Sequence, residues 1–571
     1  MIKIISLVFT FSFLFACSPS SPPEQTVDAS VKPVTIYTGG EIITMTGDEP
    51  NYVESLVESE GNIVFTGSLS DAKTQYNNGE MVNLNGQTLL PGFIDGHAHF
   101  ANFSSQAIGA QILPPPDAGA SSIDELLDIL REWNTPENLA LTGWIFGAGF
   151  DDSVLAEKRF PTKFDLDKVS TDQPIMIVHI SAHFASLNSK GLELLGITAD
   201  TPDPEGGIIR RVEGSLEPNG VLEELAAIPF YAKAMTPLTP ESAKKFMTAG
   251  QNMALSYGYT TAQEGRAMGP QHGLLAQYAE EDFWKLDVVS YIDYIDTSPM
   301  ESKWLSKDYY KNYRIGGLKV TLDGSPQGRT AWRTKPYLLP PEGAAEGYLG
   351  YPAFQNNQDV VDIYKLAYEN DWQILTHANG DAAIDQMINS MREVAPSYES
   401  KDRRHVLIHG QYVRDDQLDA FVELDVITSL FPLHTFYWGD WHSQIIGPEL
   451  GQRISPIRTA LNKGLKVSIH TDAPVALPNL MRVVWIAVDR TSRSGEIIGE
   501  DERLTPYEAL KAITEWSAYQ HFEEDRKGTL EVGKLADMVV LDKNPLKVAT
   551  QDIKDIQVMK TIKEGELVFV R

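Results

Sequence analysis

Residues 90–100 read Leu-Pro-Gly-Phe-Ile-Asp-Gly-His-Ala-His-Phe, and the rest of the chain is interpreted outward from this stretch. An apolar run leads into two histidines, His97 and His99. Side chains two residues apart on a β-strand point to the same face, so both imidazoles can reach one cation. Neutral imidazole is also the commonest metal ligand among side chains. The stretch therefore predicts part of a metal site at a strand end, against the alternative of two surface histidines.

After His99, strand-like and helical patterns alternate along most of the chain. Helical patterns at 240–256, 359–370, 382–394, 414–424 and 457–463 separate apolar β runs. With the His97 strand, these runs make eight predicted strands, the other seven being 258–264, 286–292, 317–322, 373–377, 405–409, 426–430 and 466–470. Eight β/α alternations predict an α/β fold with a (β/α)8 TIM-type barrel, whose site lies at the carboxyl ends of the strands.

Two parts of the chain fall outside this alternation. The interval between His99 and residue 258 is far too long for one loop and has its own β runs at 144–150 and 174–179. It predicts a cap region inserted over the barrel mouth at about residues 104–240. Short β runs broken by Gly, Asn and Asp at both chain ends predict one small β-sandwich domain. The predicted boundaries are 34–88 and 526–571 for the β-sandwich and 89–525 for the barrel.

The first 33 residues predict export and anchoring. A positive start and a short apolar stretch over residues 1–16 predict a signal peptide. This stretch ends in Leu14-Phe15-Ala16-Cys17, which is similar to a bacterial lipobox, so Cys17 is the expected lipid attachment site. Residues 17–33 are rich in Ser and Pro and predict a tether. The expected location is the cell envelope, facing the periplasm or the cell exterior and touching the membrane only through the lipid. A simple secreted protein is the alternative.

Composition restricts the partners and the site chemistry. The formal net charge of −30 lacks the basic footprint that nucleic acid requires, so we expect no nucleic-acid partner. Cys17 is the only cysteine, so the chain after it can hold neither a disulfide nor a thiolate ligand. The oligomeric state stays open, with a homodimer as one alternative.

Polar residues occupy the ends of later strands. Lys319 sits inside an apolar run, where an unpaired amine is costly, so either a half-exposed stem or a functional role is expected. His377, His409 and Asp472 fall at the ends of the fifth, sixth and eighth strands. Each residue alone is a weak signal, but the ordered set predicts a metal site.

This ordered set resembles the amidohydrolase superfamily, in particular its YtcJ-like branch, amidohydrolase family 3, which includes N-substituted formamide deformylase. The resemblance covers about residues 34–570. It is carried by the motifs L-P-G-F-I-D-G-H-A-H at 90–99, G-W-I-F-G-A-G-F-D-D at 143–152, G-L-K-V-T-L-D-G-S at 317–325, T-H-A-N-G-D-A-A-I-D at 376–385, H-T-D-A-P-V at 470–475 and G-T-L-E-V-G-K-L-A-D-M-V-V-L at 528–541.

The resemblance implies a metal-dependent hydrolase acting on a non-peptide C–N bond, of amide or N-formyl type, in a small-molecule substrate. One or two divalent ions, with zinc expected, would lower the pKa of bound water toward ~7. Asp472 would be the catalytic proton carrier. Lys319 matches the lysine that is carbamylated in binuclear members. The implied metal ligands are His97, His99, Lys319, His377, His409 and Asp472.

Further residues are weaker candidates. His183 matches a family motif in the inserted region and is a candidate for substrate binding, with support of the cap as the alternative. His434 follows the seventh strand and Glu264 ends the second, so both are substrate-binding candidates at the barrel mouth. Asp323 either orients a metal ligand or caps a turn. His442 is interpreted as structural.

Two other functions fit the sequence. One keeps the metals but cleaves an ester or lactone, deaminates, or acts on a dipeptide-like substrate. The other is a non-catalytic envelope protein with a binding or regulatory role on the same fold. A binding protein has no need of six metal-site residues, so the hydrolase is favoured.

Overall fold

The computed structural model describes residues 34–571 except positions 183, 205, 206 and 342. The predicted signal peptide, the tether and Cys17 lie outside the described residues, as does His183. Among the helices that are described, none is both long enough and apolar enough to cross a membrane.

Secondary structure follows in four segments along the chain. The first contains strands β1 (Val34–Ile43), β2 (Tyr52–Ser59), β3 (Asn62–Gly67), β4 (Glu80–Asn83), β5 (Thr88–Pro91) and β6 (Phe93–Ile94) and helix α1 (Leu69–Gln75). The second contains strands β7 (Ala110–Gln111), β8 (Ile145–Phe150), β9 (Ile175–His179), β10 (Phe184–Leu187), β11 (Gly207–Arg211) and β12 (Pro218–Glu224). Its helices are α2 (Phe103–Ile108), α3 (Ile123–Trp133), α4 (Pro136–Thr142), α5 (Lys163–Leu166), α6 (Ser189–Leu195) and α7 (Ile228–Met235).

The third segment contains strands β13 (Tyr259–Ala267), β14 (Asp287–Asp293), β15 (Tyr313–Thr321), β16 (Gln373–Ala378), β17 (Val406–His409), β18 (Ile427–Leu430) and β19 (Val467–Ile469). Its helices are α8 (Pro240–Ser256), α9 (Gly269–Glu280), α10 (Asn357–Glu369), α11 (Asp381–Val394), α12 (Asp415–Glu423), α13 (Leu433–Ile446), α14 (Pro448–Gly451), α15 (Ile457–Asn462), α16 (Leu480–Asp489), α17 (Pro506–Lys511) and α18 (Glu515–Gln520). The fourth contains strands β20 (Met538–Leu541), β21 (Val558–Lys563) and β22 (Glu566–Val570).

The third segment, together with β6, forms a parallel sheet. Its strand order is β6-β13-β14-β15-β16-β17-β18-β19, the same as the order along the chain and as in a TIM-type barrel. The two outer strands, β6 and β19, are joined by backbone hydrogen bonds between the residues that follow their carboxyl ends. Asp472 N–H donates to the His97 carbonyl (3.1 Å), and His99 N–H donates to the Ala473 carbonyl (2.8 Å). The eight strands predicted from the sequence are therefore present in the predicted order.

Local sequence explains why these elements form. Strands β14, β17 and β18 are buried at every residue, as expected of parallel strands covered on both faces. Helix α8 begins at Pro240 after Thr239, whose side chain accepts a hydrogen bond from the Ser242 N–H. The five predicted helices match α8, α10, α11, α12 and α15, with ends that differ by at most two residues.

The prediction that His97 and His99 lie on a strand is wrong, because β6 already ends at Ile94. The chain turns away after Asp95, whose carboxylate accepts hydrogen bonds from the His97 N–H (3.2 Å) and the Thr471 hydroxyl (2.6 Å). This Asp95 bridge holds the loops after β6 and β19 together. Both histidines therefore reach one space from a loop and not from alternating strand positions.

The second segment forms a separate sheet of order β11-β12-β10-β9-β8-β7, in which β8 and β9 match the predicted runs. Asp117 from this segment accepts hydrogen bonds from Tyr437 on α13 and Arg482 on α16. These two helices follow β18 and β19, so the segment contacts the parallel sheet at its carboxyl edge. Strands from both chain ends share the third sheet, of order β22-β21-β20-β5-β1-β2-β3, with β4 beside β1.

Candidate metal centre

Three histidines surround the carboxylate of Asp472 at the carboxyl edge of the parallel sheet. Asp472 Oδ1 lies 3.7 Å from His97 Nε2 and 3.6 Å from His99 Nε2, and Oδ2 lies 4.0 Å from His409 Nδ1. One potential ligand atom from each of His97, His409 and Asp472 lies within 4.8 Å of the other two. The ends of the first, sixth and eighth strands thus bring together side chains that are far apart in sequence.

Lys319 reaches the same space from β15. Its Nζ lies 3.4 Å from His97 Nε2, and the residue is only 1% exposed. Burial lowers the pKa of this amine to about 7, although the nearby Asp472 carboxylate opposes the shift. A substantial share of the amine is therefore neutral near pH ~7. The alternative that Lys319 has a half-exposed stem is therefore wrong, because the whole side chain is buried.

His377 lies beside His409, with the ring centroids 4.6 Å apart. Its Nε2 is 3.2 Å from the Gly324 carbonyl and 3.5 Å from Asp323 Oδ1. Asp323 in turn accepts the N–H groups of Trp332, Asn379 and Gly380, and burial raises the pKa of its carboxyl to about 7. Asp323 therefore both contacts a predicted ligand and holds the loops around it.

Two further side chains, Gln263 and His470, orient the histidines. Gln263 on β13 places its Oε1 2.6 Å from His97 Nδ1, which directs His97 Nε2 toward Asp472. His470 places its Nε2 3.1 Å from His409 Nδ1, while its Nδ1 lies 3.0 Å from the Ser429 hydroxyl. A glutamine in mid-strand has no sequence signature, so only the cross-strand contact reveals Gln263.

The weaker candidates occupy different positions. Glu264 is fully buried, with Oε1 3.8 Å from His99 Nδ1 and Oε2 accepting the Ala101 N–H at 2.8 Å. Glu264 therefore lies at the Nδ1 side of the His99 ring, whereas Asp472 lies at the Nε2 side. His434 lies in the first turn of α13, directly after β18, with its ring 4.6 Å from that of Trp438.

The residues present fit a divalent cation of the zinc class. Burial lowers the pKa of His97 and of His409 well below the usual value, so both imidazoles are neutral and can act as ligands. Neutral imidazole nitrogens and a carboxylate oxygen are the donors that zinc prefers when no thiolate is available. His97, His99, His409 and Asp472 would hold such an ion, with Lys319 and His377 at its edge.

A second acidic cluster, on the inserted segment, is less suited to a metal. Asp151, Asp152 and His179 also bring ligand atoms within 4.8 Å of one another. Arg493 Nη1, however, lies 3.7 Å from Asp151 Oδ2, and His179 Nε2 lies 3.1 Å from Asp152 Oδ1. The guanidinium already supplies positive charge at this cluster, so the Asp472 centre is the better cation site.

Comparison with known proteins agrees with this geometry. A model of the amidohydrolase family matches residues 80–569. The Bacillus subtilis protein YtcJ, named as an amidohydrolase, is 26% identical over 559 residues, covering 94% of this chain and 99% of its own. N-substituted formamide deformylase of Arthrobacter pascens is 25% identical over 537 residues, covering 91% of this chain and 95% of its own.

A solved structure has the same fold. The metal-dependent hydrolase from Pyrococcus horikoshii, itself described as uncharacterized, superposes with a TM-score of 0.72 at 24% identity. The match covers 91% of this chain and 99% of that one. The likeness shows a shared architecture.

Proposed function

The chain belongs to the amidohydrolase family, and on that premise we propose that it is a metal-dependent hydrolase of non-peptide C–N bonds of the amide or N-formyl type. The observation that carries the proposal is the position of the Asp472 carboxylate, within 4.0 Å of His97, His99 and His409. The name of the formamide deformylase, which spans nearly the same length, supports the choice of bond.

The residues have separate tasks in this reaction. A divalent ion of the zinc class, when bound, supplies Lewis acidity and lowers the pKa of water. His97 and His409 stay neutral, and together with His99 they present ring nitrogens to one space. Asp472 takes up a proton from the attacking water at a carboxylate oxygen and delivers it to the leaving nitrogen. Its low exposure, 8%, limits exchange of that proton with solvent.

Lys319 is proposed to carry a carbamate. Only the neutral amine adds CO2, and burial supplies that form by lowering the pKa to about 7. The modification would replace the buried amine beside His97 by an anion, which suits a divalent ion better than an ammonium does. We further propose zinc as the ion, with one or two ions bound.

The finer architecture is proposed on the same basis. The bonds between the His97 and Asp472 loops support a closed (β/α)8 barrel spanning residues 89–525. The contacts of Asp117 support a cap at about 104–240 over the barrel mouth. The shared sheet of the chain ends supports a β-sandwich built from 34–88 and 526–571. Residues 1–33 are proposed to export the protein and to anchor it in the cell envelope through Cys17.

The test combines metal analysis with a matched substrate panel. N-butylformamide, N-butylacetamide and butyl formate share one butyl group; the two amides differ in the acyl group, and the ester replaces the C–N bond by a C–O bond. We expect bound metal and faster turnover of an amide than of the ester, with loss of turnover in Asp472→Asn. Asp525→Asn makes the same change at an exposed position and serves as the control. Metal-free protein that hydrolyses the panel, or turnover of butyl formate alone, would contradict the proposal.

A further inference from the structure

Tyr412, His442 and His434 form a hydrogen-bonded row beside the metal centre. The Tyr412 hydroxyl lies 2.9 Å from His442 Nδ1, and His442 Nε2 lies 3.0 Å from His434 Nδ1. Tyr412 follows β17, whereas the two histidines lie on α13 a little over two turns apart. None of the three is more than 2% exposed, so solvent does not compete for these bonds.

The phenol proton sets the direction of the row. Among the residues that the structure describes, the Tyr412 hydroxyl has one hydrogen-bond partner, His442 Nδ1. If that nitrogen carried the ring proton, the phenol would accept it, and its own buried proton would have no acceptor, which is costly. Tyr412 therefore donates to Nδ1, and the ring proton of neutral His442 sits on Nε2.

The same argument determines the tautomer of His434. His442 Nε2–H donates to His434 Nδ1, so the ring proton of neutral His434 sits on Nε2. Neutrality of both rings follows from their surroundings. Burial lowers the pKa of His442 to about 3, with Arg333 adding to the shift, and burial lowers the pKa of His434 well below its usual value. His434 is thus a hydrogen-bond donor at Nε2 and not an acceptor.

The position of His434 suits contact with substrate. It lies in the first turn of α13, at the same edge of the sheet as His409 and Asp472. Phe431 separates it from the metal centre, stacking on His470 with ring centroids 5.1 Å apart and meeting His434 edge-on at 5.1 Å. His434 Nε2 makes no hydrogen bond to any residue in the described part of the chain, so its proton is available to a bound molecule.

We infer that Tyr412 and His442 are positioning residues that hold His434 as an obligatory Nε2–H donor to an oxygen acceptor of the substrate. This inference rests on the proposed hydrolase function and adds a rule of specificity to it. Substrates that offer an oxygen acceptor at this place are favoured, and groups that offer only a donor are rejected. His442, interpreted from the sequence as structural, acquires a functional role because its two ring nitrogens connect Tyr412 to His434.

The tautomer can be measured without turnover. In protein carrying isotope-labelled histidine, two-bond proton–nitrogen spectra distinguish an Nδ1–H ring from an Nε2–H ring, and His434→Gln identifies the His434 signal by its loss. We expect His434 and His442 both in the Nε2–H form in the wild type and a mixed population in Tyr412→Phe. An Nδ1–H form of His434 in the wild type would overturn the inference and leave the proposed hydrolysis untouched.

Kinetic measurements are the second test of the inference. Tyr412→Phe removes only the hydroxyl, and we expect kcat/KM on the best amide of the panel to fall about 2–10-fold. His442→Leu should cost at least as much, whereas His442→Gln retains an amide donor and should recover part of the loss. In a His434→Gln background, the Tyr412→Phe substitution should have no further effect, because the pair acts as one unit.

Tyr337→Phe is the matched control. Tyr337 is also a buried tyrosine, 4% exposed, and its hydroxyl donates to the Ala331 carbonyl at 2.8 Å outside the row. The Tyr337→Phe substitution should lower the melting temperature as much as Tyr412→Phe does but leave kcat/KM and the His434 tautomer unchanged. Equal kinetics and equal tautomers in the two phenylalanine variants would overturn the inference, whereas absence of turnover in wild-type enzyme would contradict only the proposed function.

Discussion

Gln263 and Gln520 both donate a side-chain N–H to the carbonyl of Gly96, at 2.8 Å and 2.7 Å, but only Gln263 also contacts the His97 ring. The Gln263 amide is therefore anchored at its nitrogen and presents its oxygen to His97 Nδ1. Because that oxygen can only accept, the ring proton of His97 is held on Nδ1 and Nε2 is left with its lone pair.

Gln263→Leu should weaken metal binding about 10–100-fold, the usual effect of removing a group that orients a ligand histidine. Gln520→Leu loses the same bond to Gly96 but no contact to His97. We expect its metal affinity to stay close to that of the wild type. Titration of metal-free protein with Zn2+ in competition with a chelating dye measures both affinities. Equal weakening in the two variants would show that the Gly96 carbonyl, and not the His97 ring, is what matters.

Periodicity in the sequence was sufficient to predict the strands of the parallel sheet and the helices between them. Strands such as β14 and β17 are mostly apolar runs, and α8 starts at a Thr-Pro capping signal. Neighbouring residues in the sequence are therefore enough to predict these elements. The end of β6 at Ile94 could not be predicted in this way. It depends on the hydrogen bond that the Thr471 hydroxyl donates to the Asp95 carboxylate, and Thr471 is adjacent to Asp95 only after the sheet has formed.

The same division applies to the site. Lys319, His377, His409 and Asp472 could be predicted because each lies at or near the carboxyl end of a recognisable strand. Gln263 and the row that includes His442 could not, because their roles depend on which atom of which neighbour they meet. Polar side chains acquire such roles through contacts between residues far apart in sequence, and a single sequence does not display those contacts.

Removing the metal should destabilise the protein. An ion that binds only the folded state adds about 2.7 kcal/mol of stability at a free concentration of 100 times its Kd. We therefore expect chelation to lower the melting temperature and Zn2+ to restore it in the wild type, measured by calorimetry. His97→Ala should remove most of this response. His272→Ala changes a histidine whose ring instead contacts Tyr313, and it should keep the response in full.

Stability should fall in acid because of a buried ionic cluster. Burial alone would raise the pKa of Glu523, but Lys527 and Arg314 lower it below its usual 4.5. A carboxylate with a depressed pKa stabilises the fold above pH 4.5, and this contribution is lost as the pH falls further. Glu523→Gln should cost about 3–5 kcal/mol near neutral pH, because it leaves buried cations without their partner.

The measurement is the urea midpoint as a function of pH. Between neutral pH and strongly acidic pH, the midpoint of Glu523→Gln should change less than that of the wild type. Glu524→Gln is the control at the adjacent position, where the carboxylate is 30% exposed and pairs with Arg404. Parallel pH curves for the wild type and Glu523→Gln would show that this cluster does not contribute to acid sensitivity.

Cys17→Ser should release the protein from membranes. Acyl chains add about 0.8 kcal/mol of membrane affinity per buried CH2 group, and the proposed anchor depends on the thiol of Cys17 to carry them. We expect the wild type in the membrane fraction of cells and in the detergent phase on extraction. The serine variant should appear in the soluble fraction with unchanged specific activity. Retention of Cys17→Ser in the membrane would contradict the lipid anchor.

Lys319→Met separates the cost of the buried amine from its use. Methionine is apolar and similar in length, so it removes a nitrogen that is 1% exposed and lies 3.4 Å from His97 Nε2. For metal-free protein, we expect the urea midpoint to rise, because a poorly solvated amine no longer has to be buried. Metal content and turnover should fall together, since the lysine can no longer contribute a ligand. Lys543→Met, at an exposed position, should change neither property. A variant that keeps full metal content and activity would show that Lys319 serves packing alone.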